Sequence, residues 1–94
     1  MNNLDEVIEF LSVSSSKADI AKLLEELLTP SELEDIAKRW HLMKDIYLGK
    51  PQREIASEME ISLCKITRGS RILKQDNSIV RRIFNEKLDD HTHI

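Results

Sequence analysis

The stretch QREIASEMEISLCKITRGS, residues 52–70, has the spacing of two short helices joined by a tight turn. Ile55, Ala56 and Met59 fall at i, i+1 and i+4 on a first helix, and Ile66 and Leu73 continue a buried side on a second. Ala56 sits where the two axes should cross closely, a place with no room for a large side chain. Ser62 is expected to N-cap the second helix, its hydroxyl accepting a backbone N–H. Leu63, Cys64, Lys65 and Thr67 then point outward near that helix's N-terminus, where a helix-turn-helix meets base edges. Glu60 holds the turn position that wants a left-handed backbone, at a cost of roughly 1–2 kcal/mol. A helix pair packed for stability alone shares this pattern, because helical hairpins are common in all-α proteins.

The rest of the chain limits what surrounds this pair. Its 94 residues suit one domain near the lower end of sizes that fold alone, and an intertwined dimer would relieve the shortage of core. Four aromatic residues, Phe10, Trp40, Tyr47 and Phe84, and two glycines fit a helical protein built from Leu and Ile. No apolar run approaches the ~20 residues a membrane span requires, and the N-terminus has no secretion signal, so a cytoplasmic location is expected. Cys64 stands alone, with no CxxC or His-rich spacing to argue for a metal site. His91 and His93 sit in a polar tail and are not expected to be ligands.

A net charge of −3 argues at first against a nucleic-acid partner. Its distribution argues the other way. Residues 1–35 carry two Lys against nine Asp and Glu, a balance of −7, whereas residues 36–82 carry eleven Lys and Arg against five acids, a balance of +6. The positive half is the half that contains the helix pair.

Helical periodicity runs through the chain with hardly a break. Leu4, Val7, Ile8 and Leu11 stripe a first helix, which the Ser14–Ser15–Ser16 run stops. Ile20, Leu23, Leu24, Leu27 and Leu28 stripe a second. Thr29, Pro30 and Glu32 form a capping box with proline at the first helical position. The third helix bears Leu33, Ile36, Ala37, Trp40, Met43 and Tyr47 and ends at Gly49, with Trp40 expected in the core as part of the i, i+3, i+4 stripe. Asn77 or Asp76 could cap a last helix carrying Ile79, Val80, Ile83, Phe84 and Leu88. Six helices without a strand can close on one chain or interlock with a second, and the large apolar faces of the terminal helices favour the second.

Residues 27–74, LLTPSELEDIAKRWHLMKDIYLGKPQREIASEMEISLCKITRGSRILK, resemble the core of the tryptophan repressor family. The LLTP helix start, an Arg ten residues after the Thr, the QRE opening of the helix pair and ITRGS inside the second helix recur in order. This covers about half the chain. The resemblance implies an all-α, six-helix fold of the Trp repressor type, a single domain over residues 1–94 with its helix-turn-helix at about 52–74, and an intertwined homodimer. It further implies a repressor that binds operator double-stranded DNA when L-tryptophan is bound as corepressor.

Site residues follow from the same resemblance. Arg39 and Arg68 would sandwich a flat aromatic ring by stacking and cation–π attraction. Thr29 and Arg68 would hold a carboxylate, the carbonyls of Glu26 and Leu28 would receive an ammonium, Met43 would line the pocket floor, and Gly69 would leave room for the ring. Ile72 stands where the family often has a small polar residue. Gln52 and Arg53 are expected at phosphates and groove edges, and Leu63, Cys64, Lys65 and Thr67 at bases, directly or through water. Cys64 and Lys65 replace the small or hydroxylated residues of relatives, and Pro51 precedes Gln52 in a connection one residue shorter than in the enteric relatives. No paired carboxylates, nucleophile–base set or phosphate loop suggests an enzyme. Two other readings stay open: a DNA-binding regulator of this fold with another effector or none, and a helical protein–protein interaction module.

Overall fold

The computed structural model describes residues 2–88, so His91 and His93 lie outside the described residues. Six helices follow one another: α1 (Asn3–Val13), α2 (Lys17–Leu27), α3 (Pro30–Tyr47), α4 (Gln52–Met59), α5 (Leu63–Leu73) and α6 (Ile79–Lys87). No strand occurs among the described residues, in keeping with the helical periodicity of the sequence.

Side chains close most helix starts. The Asn2 and Ser16 oxygens accept the amides of Asp5 and Asp19, at 2.8 and 3.1 Å. The capping box at α3 is reciprocal: Thr29 Oγ1 accepts the Glu32 amide at 3.1 Å, and Glu32 Oε1 accepts the Thr29 amide at 2.9 Å. At its other end, Gly49 adopts φ 90°, its N–H bonds to the Ile46 carbonyl, and the Lys50 N–H reaches the Asp45 carbonyl. This pair of bonds terminates the helix and requires the left-handed residue that glycine supplies.

Two caps differ from the sequence expectation. Ser62 occupies the N-cap position of α5 with extended backbone, but its hydroxyl caps nothing; its carbonyl instead accepts the amides of Lys65 and Ile66. The α6 cap is neither Asn77 nor Asp76. Ser78 Oγ accepts the Arg81 amide at 3.1 Å, while the Asp76 carbonyl accepts the Arg81 guanidinium. Ser78 stands immediately before the first helical residue, and the turn after α5 places both earlier candidates outside the cap.

The chain divides into two compact units, the first ending at Ile36 and the second beginning at Ala37. In the first, neither α1 nor α2 buries a residue. Leu4, Ile8, Val13 and Leu27 are each more than half exposed. In the second, the core forms two clusters around the C-terminal half of α3. Leu42 packs with Ile55 of α4 and Ile66 of α5, joined by Ala56, Met59 and Ile61. Its neighbour Met43 packs with Leu73 of α5 and Phe84 of α6, joined by Tyr47, Ile72, Val80 and Leu88. Ile46, one turn on, touches both clusters.

Trp40 lies at the margin of this core and not inside it. Its ring meets Phe84 edge-on, with centroids 4.9 Å apart and planes at 68°, yet 41 % of the residue stays exposed. Ile36, on the same stripe, is also exposed. The apolar stripe of α3 therefore starts before the packing does: within the second unit, burial begins at Leu42.

Candidate nucleic-acid interface

α4 and α5 are held by what they bury. Ile55 and Ile66 are completely shielded and share a cluster with Leu42, so both helices pack on the same part of α3. The turn between them rests on Glu60, at φ 53° and ψ 45°, the left-handed conformation expected there. The amides of Glu60 and Ile61 both close on the Ala56 carbonyl. Gly69 serves a further close approach. A Cβ there would stand 3.3 Å from Met43 Cγ, 3.4 Å from Ile46 Cδ1 and 3.7 Å from Leu42 Cδ2, so the backbone of α5 lies against the side chains of α3.

With these residues turned inward, the opposite side of the pair is open. Gln52, Arg53, Leu63, Cys64, Lys65 and Thr67 are all exposed. Thr67 Oγ1 donates to the Leu63 carbonyl at 2.9 Å, which leaves its oxygen as an acceptor and its methyl as a contact surface. A shallow groove of about 300 Å³ is lined by Gln52 from the start of α4 and by Thr67, Ser70, Arg71 and Lys74. Ser70, Arg71 and Lys74 were not singled out from the sequence. Their spacing from Thr67, at +3, +4 and +7, was the available signal, since it marks one face of a helix.

A charged network borders the pair on the α3 side. Lys50, in the connection to α4, pairs with Glu58, and lies 3.9 Å from Asp45 of α3. Asp45 also meets His41 Nε2 at 3.3 Å, one turn back on the same helix. The hydrogen bond with Glu58 raises the Lys50 pKa, and the same bond holds the Glu58 carboxyl below the usual carboxylate value.

The residues implied for a ligand are divided between the units. In the first, Glu26 and Leu28 close α2, and Thr29 opens α3. The residue four beyond Glu26 is Pro30, which has no N–H, so the Glu26 carbonyl lacks its ordinary helical partner. In the second unit, Arg39 and Arg68 are exposed on α3 and α5. Met43 and Gly69 are buried, and Ile72 is half-buried among Met43, Leu73 and Phe84. Met43 and Arg39 are one turn apart on α3, and Met43 touches the place where a Gly69 side chain would be.

A family model described as Trp repressor protein matches residues 2–88, and so spans both units. The chain belongs to the Trp repressor family. Among curated relatives, the Trp operon repressor homolog of Xylella fastidiosa (strain M23) is 39% identical over 74 residues, covering 78% of this chain and 79% of that protein. The Trp operon repressor homolog of Chlamydia trachomatis serovar D is 41% identical over 64 residues, covering 63% and 68%. That of Mannheimia succiniciproducens is 33% identical over 94 residues, covering 99% and 89%. No solved structure matches the chain with significance. Trp repressors are transcriptional regulators and not enzymes, and no helix among the described residues is long and apolar enough to cross a membrane. The family match thus extends beyond residues 27–74 to the flanking helices.

Proposed function

We propose that this Trp repressor family member is a homodimeric repressor that binds operator DNA when L-tryptophan is bound. The observation that carries the reading is the exposed row of Leu63, Cys64, Lys65 and Thr67 beside a groove whose only ionic groups, Arg71 and Lys74, are cationic. Such a face offers base contacts from the first turns of α5 and phosphate contacts from the groove and from Gln52 and Arg53. Direct contacts read the bases where Lys65 can donate to guanine and Leu63 can meet a thymine methyl. The rest is supplied by water, a mode of readout for which Trp repressors are themselves a general example.

One domain, working in the cytoplasm as an intertwined pair, accounts for the exposed apolar residues. Leu4, Ile8, Val13, Leu27 and Ile79 each leave more than half of their surface open on a single chain. Burying such residues is worth about 25 cal/mol per Å² of apolar surface, which a second copy would supply. Helix-turn-helix dimers, Trp repressors included, present their two recognition helices to successive major grooves, roughly 34–36 Å apart. L-tryptophan would lie with its ring between Arg39 and Arg68, its carboxylate on Thr29 and Arg68, and its ammonium on the Glu26 and Leu28 carbonyls, with Met43, Gly69 and Ile72 shaping the floor. It would act by bracing α5 without touching bases. The regulated genes would be those of tryptophan synthesis or supply.

One observation favours a second reading. Ile72 packs into the Met43–Leu73–Phe84 cluster and offers no polar atom where the family often has one. A regulator of the same fold with another effector, or none, fits that position as well. Calorimetric titration of the protein with L-tryptophan and with other amino acids, with and without DNA from its own upstream region, decides between the two. Tryptophan-dependent DNA binding supports the first reading; DNA binding indifferent to tryptophan supports the second. Absence of DNA binding under every condition removes both and leaves an interaction module.

A further inference from the structure

α4 is eight residues long, opens on Pro51 without a side-chain cap, and buries a single residue, Ile55. A helix of that length has little stability of its own in water. Ala56 and Met59 flank that anchor but are only half-buried against the same cluster, so packing fixes where α4 sits more firmly than its rotation about Ile55. The second constraint comes from Lys50. Its ammonium pairs forward with Glu58, three residues beyond Ile55, and lies 3.9 Å back from Asp45 on α3. Asp45 is itself sheltered, its side chain 15% exposed, and it is further held by His41.

We infer that Lys50 is a positioning residue for DNA recognition: by bridging Asp45 and Glu58 it locks α4 against the end of α3 and thereby sets the angle at which α4 and α5 meet a duplex. Lys50 stands next to Pro51 and Gln52 at the opening of the pair, where a cation would otherwise be taken for a phosphate contact. Its surroundings say otherwise. Two carboxylates already compensate the charge, and handing the ammonium to a phosphate would strip Glu58 of its partner and leave Asp45 with His41 alone. The bridge also lies within the second unit entirely, so it acts on the helix pair directly.

The inference rests on the DNA-binding reading, and two readouts keep the failures separate. Wild type, Lys50→Met, Lys50→Arg, Glu58→Gln and the Lys50→Met/Glu58→Gln double variant are compared by amide hydrogen exchange without DNA. Anisotropy titrations of the same proteins, with and without saturating L-tryptophan, use the upstream duplex and a scrambled duplex over a range of salt. Lys50→Met and Glu58→Gln should each speed exchange in α4 by roughly two- to fivefold, the range that a surface ion pair commands. Both should narrow the preference for the upstream duplex over the scrambled one. Lys50→Arg should restore both properties, and the double variant should be no worse than the poorer single one. The salt slope should stay unchanged throughout, because a lost phosphate contact would lower it by about 0.9. Unaltered α4 exchange overturns the inference whatever the DNA does. So does a salt slope lowered by about one unit in Lys50→Met, which would make Lys50 a phosphate ligand. If the wild type binds neither duplex with or without L-tryptophan, the DNA-binding reading fails, and with it the role in recognition, even where exchange still reports the bridge.

Discussion

Replacing Glu60 by glycine should stabilise the protein, and the size of the effect can be worked from one backbone angle. Glu60 is the one non-glycine residue with positive φ among the described residues, at φ 53° and ψ 45°. For an L-residue that conformation costs roughly 1–2 kcal/mol, because Cβ crowds the following carbonyl oxygen. Glycine removes the crowding but gives up roughly 0.5–1 kcal/mol in chain freedom. The amide of residue 60 still closes on the Ala56 carbonyl, and the glutamate side chain is exposed. The net gain is then about 0–1.5 kcal/mol, and its midpoint of about 0.75 kcal/mol in a domain of this size raises Tm by roughly 3–6 °C. Thermal unfolding followed by circular dichroism at one fixed protein concentration measures it, since self-association would otherwise shift Tm by mass action. Glu60→Val serves as the control and should lower Tm, a β-branched residue being least tolerant of positive φ. A lower Tm for Glu60→Gly would refute the reasoning, because the glutamate side chain would then contribute more than its backbone costs.

Four further outcomes are expected. Arg68→Leu should weaken tryptophan binding in calorimetry by roughly 1.5–3 kcal/mol while leaving the fold intact, through loss of a charge-assisted contact and a stacking plane; unchanged affinity would place the ligand elsewhere. Lys65→Ala should reduce specific DNA affinity by roughly 1–3 kcal/mol and relax preference at one or two base pairs, whereas Arg53→Ala should weaken all sequences alike and lower the salt slope by about one unit. Gel-shift titrations against single-base variants at two salt concentrations check this pair, and the reverse pattern would overturn the docking. Sedimentation at micromolar protein should show twice the chain mass, with stability rising with concentration; a monomer that binds DNA with full affinity would contradict the exposed apolar faces. On acidification, Glu32 and Glu58 are held below 4.5 by their hydrogen bonds, so what they contribute is present above that value and is lost as pH falls through their lowered pKa values; Glu58→Gln should flatten that acid limb in pH-dependent melting, and an unaltered limb would mean that the bond to Lys50 adds nothing.

The parts of the fold that could be read from residue types alone were those fixed by local chemistry. Thr29, Pro30 and Glu32 specify a helix start whatever lies around them, and Gly49 before Pro51 specifies an end; both hold in the structure. Periodicity marks Ile55, Ile66 and Leu73 as buried, and the structure buries all three. Residue type alone does not decide where several neighbours compete for one role. Ser78 lies one residue from Asn77 and two from Asp76, all three can cap, and only the path of the turn chooses between them. Ser62 has the right residue type at the right position, but which backbone amides its hydroxyl can reach depends on the tight turn at Glu60. Trp40 shows the limit of periodicity, which assigns a face to a side chain without saying how far along the helix that face is covered. The groove residues Ser70, Arg71 and Lys74 were legible as a stripe but not as a site, because the closing wall, Gln52, comes from another helix.

Met43, Gly69 and Ile72 give the proposed corepressor a physical route to the DNA. Each is named for the ligand, and each also belongs to the packing of α5 on α3: Met43 and Ile72 share a cluster with Leu73 and Phe84, and Met43 is the nearest side chain to Gly69. A ligand resting on such residues does not need a separate relay. Whatever shifts Met43 alters the contact that seats α5, and α5 carries Leu63, Cys64, Lys65 and Thr67 on its exposed side. Coupling through shared packing is reciprocal, so DNA held by α5 must tighten the ligand by the same factor that the ligand tightens DNA, typically 1–3 kcal/mol. It also ties two properties that separate sites would leave independent. A substitution at Met43 that loosens the seat of α5 should lower tryptophan affinity and the tryptophan dependence of DNA binding together. A substitution at Lys65, which lies in the first turn of α5 and outside both core clusters, should change DNA affinity and leave tryptophan affinity as it was.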